Sequence, residues 1–174
     1  MSLKIFFAIL ALSAQAASAL TIKEQRGSVE IDVSKQWEYE QNILGLPHIF
    51  LTKDTPERSS LSLTLTGLEG VNLPVKELQK NQSQYQEGRK AWAEKREATI
   101  EKFLPYSVTE NTNKVKIHTI GMEYTMNGKK YFEKSFYAEC PKSFVHLKLL
   151  SPDNTVRIKE AEEMVRGLKC LKEK

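Results

Sequence analysis

The sequence predicts an α+β fold, an antiparallel sheet of about six to seven strands flanked by one long central helix and a C-terminal helix. Three observations predict it. Val29, Ile31 and Val33 alternate with Glu30, Asp32 and Ser34, and Leu61, Leu63 and Leu65 alternate with Ser62, Thr64 and Thr66, the two-residue period of half-buried strands. From Val75 to about Phe103 no proline intervenes, and Leu78, Tyr85 and Trp92 recur every seven residues with Val75, Ile100 and Phe103 near the same stripe, as on one amphipathic helix. Asn127-Gly128, between two alternating runs, is the strongest hairpin signal in the chain.

Lys4, the apolar run Ile5 to Leu12 and Ala17-Ser18-Ala19 have the three-part layout of a secretory signal peptide, so residues 1–19 are expected to be removed and the mature chain to begin at Leu20. The apolar run is too short to span a bilayer, and no cysteine at the cleavage point offers a lipoprotein anchor. The expected location is the periplasm or the exterior, with no stable membrane anchor. Residues 20–174, about 155 in all, suit a single domain with one core.

Removing Lys4 from the 26 basic side chains leaves 25 against 22 acidic ones, a net charge of +3. Basic and acidic residues also alternate, as in Glu94-Lys95-Arg96-Glu97, which reads as a solvated helix surface and argues against a nucleic-acid partner. Cys140 and Cys170 form an even pair in an oxidising compartment and are expected to be disulfide-bonded. Neither has a short-spaced cysteine or histidine neighbour, so no metal site is expected.

The first strand, Val29 to Val33, is followed by candidate strands Trp37–Glu40 and Leu46–Thr52, separated by Asn42 to Gly45. Lys53 to Arg58 reads as a surface loop by its Asp and Pro chemistry, with Asp54 and Glu57 as solvated charges. Leu61 to Thr66 closes the antiparallel meander. Pro74 then starts the long helix without wasting a needed N–H, and Gly88 marks a point of interruption. Leu104-Pro105-Tyr106 reads as the loop that follows.

A two-residue turn at Asn127-Gly128 sets Met126 opposite Lys129, Tyr124 opposite Tyr131, His118 opposite Tyr137, Ile117 opposite Ala138, Lys116 opposite Glu139 and Val115 opposite Cys140. Gly121 is a candidate bulge. Phe144 to Leu150 is a further strand with Val145, Leu147 and Leu149 on one face. Asn154 or Asp153 caps the last helix, whose stripe is Ile158, Ala161, Met164, Val165 and Leu168, and Gly167 is expected to end it in a left-handed cap that lets Cys170 bend toward the sheet.

This order of elements, with Val29-Glu30-Ile31-Asp32-Val33 leading to Trp37, resembles the PsbP-like superfamily, which includes bacterial envelope proteins of the DcrB type. The resemblance runs from Val29 to Leu168. It implies a non-enzymatic binding or assembly role and brings no catalytic motif or cofactor.

The residues agree. His48, His118 and His146 stand in separate segments, and the sequence has no Gly-x-Ser-x-Gly elbow, His-Glu-x-x-His helix or phosphate-cradling loop. His48 and His146 read as structural histidines. The function expected is that of an exported accessory or binding protein, a monomer with a protein or small-molecule partner, no catalytic residues and no cofactor. The alternative is a small envelope hydrolase using His118 with Glu139 or Tyr137. If function resides on the sheet, the residues expected to carry it are His118, Tyr124, Tyr131 and Tyr137, which the hairpin register gathers on one face while Val115, Ile117, Phe136 and Ala138 take the other; the alternative is that the long helix covers this face and the rings are core.

Overall fold

The computed structural model describes residues 18–171 apart from Leu44, Thr55, residues 68–73, Lys142 and Asp153. The expected signal sequence therefore lies outside the described residues except for Ser18 and Ala19, which are exposed. Strands β1 (Ser18–Glu24) and β2 (Gly27–Val33) form a hairpin, and the short β10 (Lys169–Leu171) pairs with the other side of β2 to complete a three-stranded sheet. The larger sheet has seven strands: β3 (Trp37–Ile43), β4 (Leu46–Thr52), β5 (Ser60–Gly67), β6 (Ala98–Glu110), β7 (Lys116–Met126), β8 (Lys129–Glu139) and β9 (Ser143–Pro152). Its spatial order is β3-β4-β5-β9-β8-β7-β6, antiparallel throughout. Neither β1 nor β10 was expected, because Ser18–Glu24 and the three residues of β10 are too short or too polar to declare a period.

The apolar residues of β2 and of helix α3 (Thr155–Arg166) face one side of the larger sheet and form the core. Val29, Ile31 and Val33 meet Phe50, Leu61, Leu63, Leu65, Val145, Leu147 and Leu149, with Ala161, Met164, Val165 and Leu168 of the helix end closing the stack. Ile117, Phe136 and Ala138 join it from the outer strands, on the face the hairpin register assigns to them. Each such side chain removed from water contributes about 1.5–3 kcal/mol before conformational entropy is deducted, so the alternation of β2 and β5 is what fixes this face as the inner one.

Helix α3 begins where the sequence places it, with the Asn154 side chain accepting from the N–H of Arg157 at 3.2 Å. Its end differs from the expectation. Gly167 is right-handed, at φ −81° and ψ −9°, and the last carbonyls are satisfied from outside the helix. Asn111 Nδ2 donates to the Leu168 carbonyl at 2.8 Å, Asn113 Nδ2 to that of Gly167 at 2.9 Å and Thr112 Oγ1 to that of Arg166 at 3.0 Å. The β6–β7 turn thus terminates α3. Val115 takes part in that turn through its backbone, and the β7–β8 ladder ends at Lys116 opposite Glu139, one step short of a Val115–Cys140 pair.

The single long helix is also corrected. It is two helices, α1 (Pro74–Lys80) and α2 (Gln82–Lys95), separated at Asn81, and Gly88 lies uninterrupted within α2. Glu97 turns the chain with φ 52°, and Ala98 onwards is strand. Ile100 and Phe103 sit at helical spacing from Val75, yet they serve β6, whose long pairing with β7 overrides the local period. Leu104-Pro105-Tyr106 lies inside that strand rather than in a loop. Proline is tolerated there because β6 is an edge strand, and the irregular register falls between Ile100 and Lys102 and between Leu104 and Ser107.

The β7–β8 register runs as the Asn127-Gly128 turn requires, from Met126 opposite Lys129 to Lys116 opposite Glu139 without a bulge at Gly121. Asn127 and Gly128 have φ 53° and 72°, the pair of left-handed residues of a type I′ turn. Asp54 is not a solvated charge. Arg157 Nη2 donates to Asp54 Oδ1 at 2.8 Å and Nε to Oδ2 at 2.5 Å, tying the β4–β5 loop to α3 and holding the Asp54 carboxyl below its usual range. Cys140 and Cys170 are joined, with Cα atoms 5.5 Å apart, which fastens β10 to the end of β8.

Candidate functional site on the outer face of the sheet

The second face of the larger sheet is built from alternate residues of β5, β9, β8 and β7. Thr64 pairs with His146, His146 with Tyr137 and Tyr137 with His118 across four adjacent strands. One row away, Ser62, Lys148 and Ser135 stand side by side, and beyond the next row Tyr131 faces Tyr124. The signal for this face is the polar half of each alternating strand, the half that the core does not claim.

Helix α2 lies across the outer strands of this face. Trp92 meets Tyr124 edge-on at 5.2 Å, Tyr85 meets Phe103 at 6.5 Å, and Arg89 sits over Trp92 at 4.5 Å. Tyr124 is consequently 3 % exposed. Burial first, and the Glu133 carboxylate second, push the hydroxyls of both Tyr124 and Tyr85 up to about 12. Glu133, itself buried, lies between Arg89 at 2.8 Å and Lys148 at 3.2 Å. Two cations around one carboxylate leave a local excess of one positive charge, and they prevent the burial cost that an unpaired Glu133 would carry.

Of the four residues expected on this face, His118 and Tyr124 are buried, whereas Tyr131 and Tyr137 keep part of their surface. Tyr131 stacks on Tyr124 at 5.4 Å. Tyr137 is flanked by His146 at 4.5 Å, nearly parallel at 6°, and by Phe144 at 5.7 Å. The ring row Phe144–Tyr137–His146 borders Ser135 and Lys148, and the half-buried Ser62, Thr64 and Thr66 continue it across β5.

His118 has no nitrogen to spare. Its Nε2 is 2.6 Å from Glu139 Oε1 and its Nδ1 is 2.5 Å from the Tyr106 hydroxyl, so the phenol hydrogen-bonded to it is that of Tyr106, while Tyr137 stands opposite it on β8. His48 repeats the arrangement with Glu24 at 2.6 Å and Tyr39 at 2.7 Å. Neither His118 nor His48 has a serine or cysteine on a ring nitrogen, so neither makes the nucleophile–base contact of covalent catalysis, whereas His146 Nε2 lies 3.3 Å from Ser135 Oγ. Arg89, Glu133, Lys148 and Tyr106 went unrecognised in the sequence. Arg89 interrupts the apolar stripe of its helix and Lys148 alternates with Leu147 and Leu149, so both were visible as facing outward but not as sharing a carboxylate.

His146 gives this face a pH dependence. Burial, then the charge of Lys148, hold its imidazole down to about 4, below the ordinary 6.5. The unfolded chain therefore takes up the proton first, and stability is lost as pH falls from about 6.5 toward 4, by up to roughly 3 kcal/mol, then levels off. Replacing His146 with glutamine is expected to flatten that part of the curve. Denaturant midpoints of both proteins between pH 7 and pH 4 check it, and parallel curves would remove His146 as the cause.

No protein-family model matches this chain, and no curated protein does. Solved structures do match. Cyanobacterial PsbP from Synechocystis superposes with a TM-score of 0.59 over 91 % of this chain and 96 % of that one, at 8 % identity. LpqN of Mycobacterium tuberculosis, described as involved in cell envelope biogenesis, gives 0.57 over 89 % of this chain and 91 % of that one, at 15 % identity. A Bacteroides thetaiotaomicron protein gives 0.54 at 15 % identity over 83 % of this chain and 46 % of its own length. The chain has a PsbP-like fold, as its order of elements suggested.

Proposed function

We propose that the protein is an exported, non-enzymatic accessory protein of the cell envelope that acts by binding a protein or small-molecule partner. The observation that carries this reading is the half-open sheet face beside α2, where Tyr137, stacked on His146 beside Lys148 and Ser135, and Tyr131, stacked on Tyr124 two rows away, keep part of their surface. Stacked tyrosines offer broad apolar area and a hydroxyl at small entropic cost, and a cation whose carboxylate is shared adds an orienting charge. Support for the setting comes from the signal-like first nineteen residues, the joined cysteines and the fold shared with a protein described as involved in cell envelope biogenesis. The nearly balanced charge gives no reason to invoke nucleic acid.

The test is capture from an envelope fraction by the chain from Leu20 onward, identified by mass spectrometry, with a Tyr131→Ala, Tyr137→Ala double variant alongside. Capture by the folded variant is expected to fall at least about tenfold, as when anchoring aromatics leave an interface. Undiminished capture per folded molecule, with a stability loss of several kcal/mol as for core aromatics, would return both rings to a purely structural role.

A further inference from the structure

We propose that Asn127 is a modification site, at which the side-chain amide is lost to an intramolecular reaction that the closed β7–β8 hairpin blocks and its opening releases. Of the seven asparagines in the chain, Asn127 alone precedes a glycine. Gly128 has no side chain to shield its amide nitrogen, and nothing stands within 4 Å of where a Cβ would lie. Both turn residues are exposed, so base and water reach them. The other asparagines precede residues whose side chains crowd the attacking nitrogen.

The reaction balances within the chain and water. The Gly128 amide nitrogen gives up its proton and attacks Asn127 Cγ. A bond forms between them, and the side-chain nitrogen leaves with that proton as ammonia. The five-membered imide left in the backbone then takes up one water at either carbonyl. Opening at one restores the main chain with aspartate at this position. Opening at the other routes the main chain through the former side-chain carbon, giving an isoaspartate with one more carbon between its Cα and Gly128.

The fold sets the rate. Ring closure needs the Gly128 nitrogen nearly eclipsed with Asn127 Cβ about the Cα–C bond. Asn127 has φ 53°, in the left-handed region where ψ is about +47°, and this turns the nitrogen nearly opposite Cβ. No rotation of the side chain closes that gap while the type I′ turn holds. The ladder from Met126–Lys129 through Thr125–Lys130 to the stacked Tyr124–Tyr131 pair holds the turn, with the Lys129–Glu57 ion pair gripping it from the β4–β5 loop. Asn127 therefore reacts in molecules whose hairpin end has opened.

The two products affect the sheet differently. Aspartate keeps the turn, since Asp-Gly adopts type I′ as Asn-Gly does. Isoaspartate lengthens a two-residue loop by one backbone carbon, and the turn is what fixes the register. That form loses the pairing that sets Tyr124 opposite Tyr131 and His118 opposite Tyr137, so a transient opening becomes permanent.

The test is incubation in mildly alkaline buffer of the folded protein and of the protein in guanidinium chloride, both with the disulfide intact. Peptide mass spectrometry reads the amide-to-acid mass gain at each asparagine. Asn127 is expected to lead in the unfolded chain and to react at least about tenfold more slowly in the folded one, where only the open fraction is competent. After refolding, the aspartate fraction is expected to recover amide protection over residues 116–139 and the isoaspartate fraction to lack it. Asn127→Gly, which suits a left-handed position and has no amide to lose, is expected to fold and to refold fully after the same incubation. Equal rates in folded and unfolded protein would overturn the gating. An unfolded chain that gains mass elsewhere and not at Asn127 would overturn the site, and an isoaspartate fraction with full protection would overturn the effect on register.

Discussion

Replacing Gly121 with alanine is expected to destabilise the protein by roughly 3 kcal/mol or more, at the upper end for overpacking a well-formed interior. A Cβ at this position would stand 2.3 Å from the backbone oxygen of Glu133, 3.0 Å from Cα of Lys134 and 3.1 Å from the Leu104 side chain. Two of those atoms belong to the backbone of β8, which cannot swing aside as a side chain would. Strands β7 and β8 would have to part at the middle of their longest unbroken ladder. The neighbour displaced carries the buried Glu133, so its contacts with Arg89 and Lys148 would suffer too. Denaturant unfolding checks the size of the effect, and a loss below about 1 kcal/mol, the range of tolerated exchanges, would show that the ladder yields more readily than this geometry allows.

Gly121 also marks the limit of what the sequence makes legible. A glycine in a strand suggests either a bulge or a close approach of backbone, and nothing local distinguishes them; the approach of β8 decides for the second. By contrast, the β7–β8 register could be written residue by residue, because a type I′ turn at Asn127-Gly128 fixes the pairing before any tertiary contact forms. The same holds for β2 and β5, whose alternation assigns the inner face, and for the start of α3 at Asn154. The helix running to Phe103 failed for a physical reason: Ile100 and Phe103 have a helical spacing, and they share a face of β6 only through the register shift between Ile100 and Lys102, which pairing with β7 imposes. On the outer face, the juxtaposition of Tyr124 with Tyr131 and of His118 with Tyr137 followed from the turn alone. The contact of Arg89 and Lys148 with Glu133 did not, because it unites α2, β9 and β8, elements whose mutual placement no local pattern encodes.

Replacing both Cys140 and Cys170 with alanine is expected to lower stability by roughly 3–4 kcal/mol, the chain-entropy value for a loop of this length. The two are 30 residues apart, and their bridge encloses β9 and α3. Loss of the bridge acts mainly on the unfolded chain, which regains the freedom of that loop. A second effect is local: β10 has only three residues paired to β2, so Lys169–Leu171 is expected to fray while Leu168, held through its carbonyl by Asn111, stays in place. The melting temperature should fall by roughly 10 °C for a domain of this size, and amide exchange should quicken at residues 169–171 but not at 111–115. Two titratable thiols in denatured, unreduced protein would refute the bridge itself. Equal stability of the double variant and the wild type would instead mean that the Asn111 turn, and not the covalent link, is what holds the end of α3 against the sheet.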